Sequence, residues 1–201
     1  MSRTRTDLAR WLERALLLVG LALGGYYVYV AVETYLYQEM ETRELDAILS
    51  SAPATPETPV GPQPQQQPPP APGSTLGRIE IPRLGVSAVI RAGSDARTLR
   101  LAVGHIPGTA VPGETGNIGL AGHRDTFFRR LEDIRADDEI RVVTPRGTYR
   151  FRVDHTRIVS PTDTWVLDPT RAPALTLVTC YPFTFIGSAP DRFIVRAVGI
   201  T

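Results

Sequence analysis

The sequence contains no lysine, one cysteine and three histidines, and each shortage removes a class of function. A single cysteine excludes an internal disulfide framework, because a bridge needs two thiols. One cysteine and three histidines cannot supply the paired spacing of a Cys-rich zinc site. Without lysine, Gly113-Glu114-Thr115-Gly116 is a turn and not a phosphate-binding loop. All 22 cationic residues are arginine, set against 21 acids, for a net charge of +1. That near-balance excludes the basic stripe of a nucleic-acid binder. The acids Asp133, Asp137, Asp138 and Glu139 lack EF-hand spacing and read as a solvated turn. No metal and no cofactor are expected.

What is present divides the chain into segments of different composition. Residues 15–32 (ALLLVGLALGGYYVYVAV) carry no charge. As a helix they would extend about 27 Å, close to the thickness of a bilayer core. Residues 1–14 hold Arg3, Arg5, Arg10 and Arg14 against Asp7 and Glu13, whereas Glu33, Glu39, Glu41, Glu44 and Asp46 follow the apolar run. The positive-inside rule then keeps the N-terminus in the cytoplasm and sends the remainder across the membrane. Tyr26, Tyr27, Tyr29, Tyr35 and Tyr37 cluster at the outer end, where amphipathic rings prefer the interface. A cleaved signal peptide would need a small residue at Tyr29 to pair with Ala31, so the segment reads as a retained single-pass signal anchor. Residues 33–49 read as a juxtamembrane helical segment. Residues 50–75 are Pro- and Gln-rich and nearly free of large apolar residues, which predicts a disordered, partly polyproline linker.

Residues 76–201 are enough for one self-sufficient core. Their 17 arginines and 13 acids make them mildly basic. Period-2 alternation dominates: Tyr149, Phe151 and Val153 alternate with Arg150, Arg152 and Asp154. Strands are predicted over 78–82, 86–90, 117–121, 139–144, 149–158 and 176–180, with a last one opening at Arg192. Pro and Gly punctuate them at short intervals. Helix is expected only over 96–102 and 126–131. Many short strands and few helices predict an all-β barrel or sandwich.

Reactive residues are few. Cys180 ends the apolar strand TLVTC, where Pro182 stops the strand and leaves the thiol beside a loop. From position alone a free cysteine is either a small buried hydrophobe or a nucleophile, and both readings stay open. His123, in AGHRDTFF, follows the apolar stretch 118–121 and reaches a rim where an imidazole can exchange protons with a substrate. His105 is expected in a loop, and His155 on the packed face with Phe151 and Val153, so His123 is favoured as the partner of Cys180. Acyl transfer also needs a charge for the oxyanion. Arg192, twelve residues after Cys180, can return to the same strand end; Arg196, four residues on along the same face, serves as an internal control.

TLVTC followed by Tyr-Pro, the upstream AGHRDTFF and the arginine opening the final strand together resemble a sortase, a membrane-anchored cysteine transpeptidase. TCYPF and GHRDTFF are most similar to class D, with class E next. The resemblance implies a closed eight-stranded β-barrel with short helices over residues 76–201, preceded by one transmembrane helix and a disordered linker. It implies Cys180 as nucleophile, His123 as general acid and base, Arg192 as oxyanion and substrate stabiliser, and Thr179 as oxyanion support through its backbone or hydroxyl. Its substrates would be proteins with a C-terminal sorting motif of the LPxTG or LPxTA kind. Its acceptor would be an amine, from a cell-wall precursor or a pilin lysine. The alternatives are an extracytoplasmic cysteine peptidase or hydrolase, and a non-catalytic tethered β domain.

Overall fold

The computed structural model describes residues 3–51, 69–185 and 187–200. The chain divides into two compact units, Met1–Glu39 and Met40–Thr201. Helix α1 (Arg3–Ser51) runs through the anchor and the juxtamembrane segment. It contains one stretch, Arg10–Glu33, long and apolar enough to cross a membrane, with a mean hydropathy of 2.0. Leu16, Leu17, Leu18, Leu21 and Leu23 are all exposed. A stripe of bare leucines of this length is stable in lipid and not in water, which is consistent with a signal anchor. Most of the expected linker, residues 52–68, lies outside the described residues.

The second unit is a closed barrel. Its strands are β1 (Thr75–Ile81), β2 (Val86–Ala92), β3 (Val103–His105), β4 (Asn117–Ala121), β5 (Glu139–Thr144), β6 (Gly147–Val159), β7 (Ala174–Tyr181) and β8 (Asp191–Ile200). Around the barrel they run β1-β2-β3-β4-β7-β8-β6-β5, and β5 pairs with β1 to close the ring. Closure leaves no unpaired sheet edge. The pairs β2–β3 and β4–β7 are parallel and the others antiparallel. Helix α2 (Ala96–Leu101) makes the first parallel crossover and is capped by Asp95, whose carboxylate accepts from the amides of Arg97 and Thr98 at 3.0 and 3.1 Å.

Alternate residues of each strand point inward, and Ile79, Ile118, Leu120, Phe151, Leu175 and Leu177 are almost wholly buried there. Strands β4 and β5 run over the predicted residues, and β2, β6 and β7 extend past the prediction by one or two residues at one or both ends; β1 starts three residues early and stops one short, where Pro82 opens a 3₁₀ segment. Three expectations are corrected. His105 is not in a loop: it belongs to β3, is 3% exposed and pairs with Leu120. Its three-residue strand is too short for period 2 to register. His155 is exposed, because a bulge between Val153 and His155 shifts the register by one and breaks the alternation that carried Phe151 and Val153 inward. Residues 126–131 form a turn and then a 3₁₀ segment, Arg129–Asp133, in place of an α-helix.

Candidate active site

Barrel order brings β4, β7 and β8 together as neighbours. Cys180 of β7 stands directly opposite Arg192 of β8. Residues opposed in an antiparallel pair project to the same face, with Cβ atoms about 4.5–5.5 Å apart. On β7 the inward residues are Leu175, Leu177 and Thr179, so Cys180 and Arg192 share the outer face.

His123 reaches this row from the other side. The parallel register of β4 with β7 ends at Ala121 opposite Val178. Gly122 carries the line one residue further, its N–H donating to the Val178 carbonyl at 3.1 Å. The Thr179 hydroxyl then donates to the Gly122 carbonyl at 2.7 Å. Two residues beyond Ala121 is His123, and two beyond Val178 is Cys180. Cys180 and Arg192 are therefore paired on adjacent strands, and His123 lies in the loop two residues past the end of β4, on the Cys180 side away from Arg192; His123 is exposed and Cys180 half-buried.

Thr179 is 2% exposed and its hydroxyl is committed to Gly122. Its side chain therefore braces the backbone that leads to His123, which leaves only its backbone for an oxyanion. Gly122 is needed for a steric reason: a Cβ there would lie 2.7 Å from the ring of Phe128, which is fully buried. Phe128 in turn donates its N–H to the His123 carbonyl at 3.0 Å and closes that loop. Beneath the row, the rings of Tyr181, Phe183 and Phe193 pack with centroids 5.2–6.2 Å apart. Arg192 donates from Nη1 to the carbonyls of Asp191 and Ala189 at 2.9 and 3.3 Å, and its Nε and Nη2 make no bond to a described residue.

The other histidines are placed elsewhere. His105 Nε2 lies 2.9 Å from the Ala110 carbonyl, and burial holds its pKa below the usual value. His155 Nδ1 lies 2.9 Å from Asp154. Among the described residues no group of His, Cys, Asp and Glu could hold a metal ion.

Three residues around the row were not singled out from the sequence. Arg124 and Arg129 donate to carbonyls of the loop between β7 and β8. Buried Asn117 donates to the carbonyls of Val166 and Asp168 at 3.1 and 3.2 Å and so anchors the connection between β6 and β7. The only signal for the arginines was their position beside His123; for Asn117 it was a polar residue opening an apolar strand.

The Sortase domain family matches residues 79–199. Sortase D of Bacillus subtilis is 36% identical over 133 residues, 66% of this chain and 67% of that protein. Sortase SrtE1 of Streptomyces coelicolor is 32% identical over 130 residues, 55% of this chain and 37% of that protein. Among solved structures, that of a Clostridium perfringens Sortase D5 transpeptidase has a TM-score of 0.60 and 33% identity, covering 65% of this chain and 82% of its own. A closed eight-stranded barrel, a free cysteine at a strand end and a family match over most of the barrel converge on one conclusion: the chain belongs to the sortase family of cysteine transpeptidases.

Proposed function

We propose that this sortase cleaves a C-terminal sorting motif of the LPxTG or LPxTA kind and joins the freed carboxyl end to an amine. Cys180 is the nucleophile, His123 the general acid and base, and Arg192 the cation beside the oxyanion. The observation that supports this reading is the pairing of Cys180 with Arg192 and the emergence of His123 two residues past the end of β4, which pairs with β7 up to Val178.

The Cys180 thiolate attacks the scissile carbonyl carbon, forming a C–S bond and moving an electron pair onto the oxygen. Arg192 meets that charge with a guanidinium that stays protonated throughout. The C–N bond then breaks as the His123 imidazolium gives its proton to the leaving amine, and a thioester remains. The acceptor amine attacks the thioester, loses a proton to His123 and expels the sulfur, leaving a new amide. Nothing is oxidised or reduced. Thr179 supports the site by holding Gly122, which keeps the His123 backbone on the line of β7.

Residues 15–32 act as the signal anchor, with the arginine-rich N-terminus in the cytoplasm and the barrel outside, tethered by the Pro/Gln-rich residues 50–75. The acceptor is then an amine of the envelope, from cell-wall peptide or a pilin lysine. Full-length protein in detergent should form a thioester adduct at Cys180 with LPxTG- or LPxTA-type peptides, seen by mass spectrometry. Added amine should divert product into an amide. Absence of any adduct across such peptides defeats the reading, and a product yield indifferent to amine makes the protein a hydrolase.

A further inference from the structure

The loop joining Cys180 to Arg192 has almost no secondary structure of its own. Among its described residues one internal backbone bond is present, from the Phe185 amide to the Pro182 carbonyl at 3.3 Å. Its carbonyls are satisfied instead by arginine side chains. Arg124, the residue after His123, donates from Nη1 to Pro182 at 3.0 Å, and from Nη2 to Phe185 at 2.5 Å and Gly187 at 3.1 Å. Its guanidinium carbon also lies 5.9 Å from the centre of the Phe185 ring. Arg129, from the 3₁₀ segment that ends the same loop, donates to the Phe183 carbonyl at 2.8 Å. Arg192 takes the Ala189 carbonyl at 3.3 Å.

We propose that Arg124 and Arg129 are positioning residues that clamp the loop carrying His123 to the loop joining Cys180 to Arg192. The inference rests on the catalytic roles proposed above and adds the part that holds those groups together. Carbonyl dipoles converging on a cation form charge-assisted hydrogen bonds, which are stronger than neutral ones. The planar guanidinium fork lets one side chain reach several carbonyls at fixed angles, which a lysine ammonium on a flexible stem does not reproduce. The two loops share no strand pairing beyond Ala121 and Val178, apart from the single Gly122 bond. The arginines therefore set the spacing between His123 and the Cys180–Arg192 pair where the sheet no longer does.

The test compares Arg124→Met, Arg124→Lys and Arg129→Met with wild type in the full-length protein. Two readouts are used: steady-state transpeptidation of an LPxTG- or LPxTA-type peptide, and hydrogen–deuterium exchange. A misplacement of about 1 Å can cost roughly 10²-fold in rate, so kcat should fall by about 10- to 100-fold in Arg124→Met while KM moves by less than about threefold. Exchange should rise together in residues 122–128 and 182–190 and stay unchanged in β1, β2 and β5. Arg124→Lys should recover part of kcat, and Arg129→Met should lose less, since it gives up one carbonyl.

A kcat in Arg124→Met within about twofold of wild type, or exchange rising in one loop alone, overturns the clamp. Arg130→Met is the control, because its Nη1 donates to the Leu84 carbonyl at 2.8 Å, away from both loops. An equal loss of kcat in that variant assigns the effect to barrel stability and also overturns the clamp. If wild type processes no sorting peptide, the proposed function fails, while coupled exchange in the two loops still decides the clamp.

Discussion

The outer face of β4, β7 and β8 carries two parallel rows. In one, Cys180 and Arg192 are paired near the strand ends, with His123 in the loop two residues past the end of β4. In the other, four residues down β7, Gly119, Thr176 and Arg196 stand level on the same strands. The rows are about 13 Å apart at 3.3 Å per residue. They are made of similar parts: a small polar residue on β7 and an arginine opposite it on β8.

Their surroundings differ. The lower row is covered by the β6–β7 connection, which Asn117 fastens down. Thr176 is fully buried there, donating to Asn117 Oδ1 at 2.8 Å and accepting from Arg196 Nη1 at 2.8 Å. Burial holds the Arg196 pKa below its usual value, with Asp154 pulling the other way. The upper row lies at the end of β4, with the His123 imidazole exposed and Cys180 and Arg192 half-buried. What separates the row proposed as reactive from the covered one is thus where the strands stop, more than which residues they carry.

The sharpest break of that comparison is at sulfur. Cys180→Ala should abolish the thioester adduct and the transpeptidation product. Adding Thr176→Cys to that variant should restore neither, since the thiol is then buried and stands opposite Gly119 of β4, with no histidine beside it. A measurable adduct at position 176 would show that cover and register do not decide reactivity.

Next in size is the arginine pair. Arg192→Lys should lower kcat/KM by about 10²-fold, as expected when a donor to the oxyanion is displaced. Arg196→Lys should leave kcat/KM close to wild type and lower the thermal midpoint, because its loss is felt by Thr176 and Asn117. Equal losses of activity in the two variants would erase the distinction between the rows.

Much of this was legible in the sequence, for physical reasons. Strands half-buried in a barrel must alternate, so β4 and β5 could be placed to the residue. The motif residues fell at strand ends because Pro182, and the glycine of AGHRD, interrupt the ladder there. What was not legible depends on long-range pairing. That His123 comes up beside Cys180 follows from the register of β4 with β7, whose partners lie 57 residues apart in sequence, whereas the return of Arg192 to Cys180 across a short loop could be anticipated. The bulge at His155 and the brief β3 leave no periodic trace. Arg124 and Arg129 could not be told from the other arginines until the carbonyls they serve were in place.

A smaller loss comes from the fastening of the cover. Asn117→Ala removes two bonds to the β6–β7 connection, leaving the carbonyls of Val166 and Asp168 without that donor and the Thr176 hydroxyl with only the Val166 carbonyl, 3.4 Å away, as acceptor. An unsatisfied buried polar group costs about 1–3 kcal/mol. The expected result is a lower denaturation midpoint with the thioester adduct at Cys180 still forming. Loss of the adduct at unchanged stability would tie the two rows together functionally.

The smallest effect is a pH dependence that belongs to the barrel and not to the reaction. His105 is 3% exposed, with its Nε2 2.9 Å from the Ala110 carbonyl and 3.2 Å from the Thr109 hydroxyl. Burial lowers its pKa from the ordinary 6.5, against weaker opposing pulls from Ala110 and Glu114. The unfolded chain, with the ordinary value, binds a proton more readily than the folded one. Stability therefore rises with pH in this window: it is complete above about 6.5 and is shed as pH falls towards the folded value. One proton contributes at most about 1.4 kcal/mol per pH unit. Glu139 titrates in a separate window: hydrogen bonds from Arg141 and Arg150 hold its folded pKa at about 2, so its contribution is lost only below the ordinary 4.5. Chemical denaturation between pH 7.5 and 5 should show a decline in wild type that flattens in His105→Gln. The same slope in both proteins would remove His105 as its source.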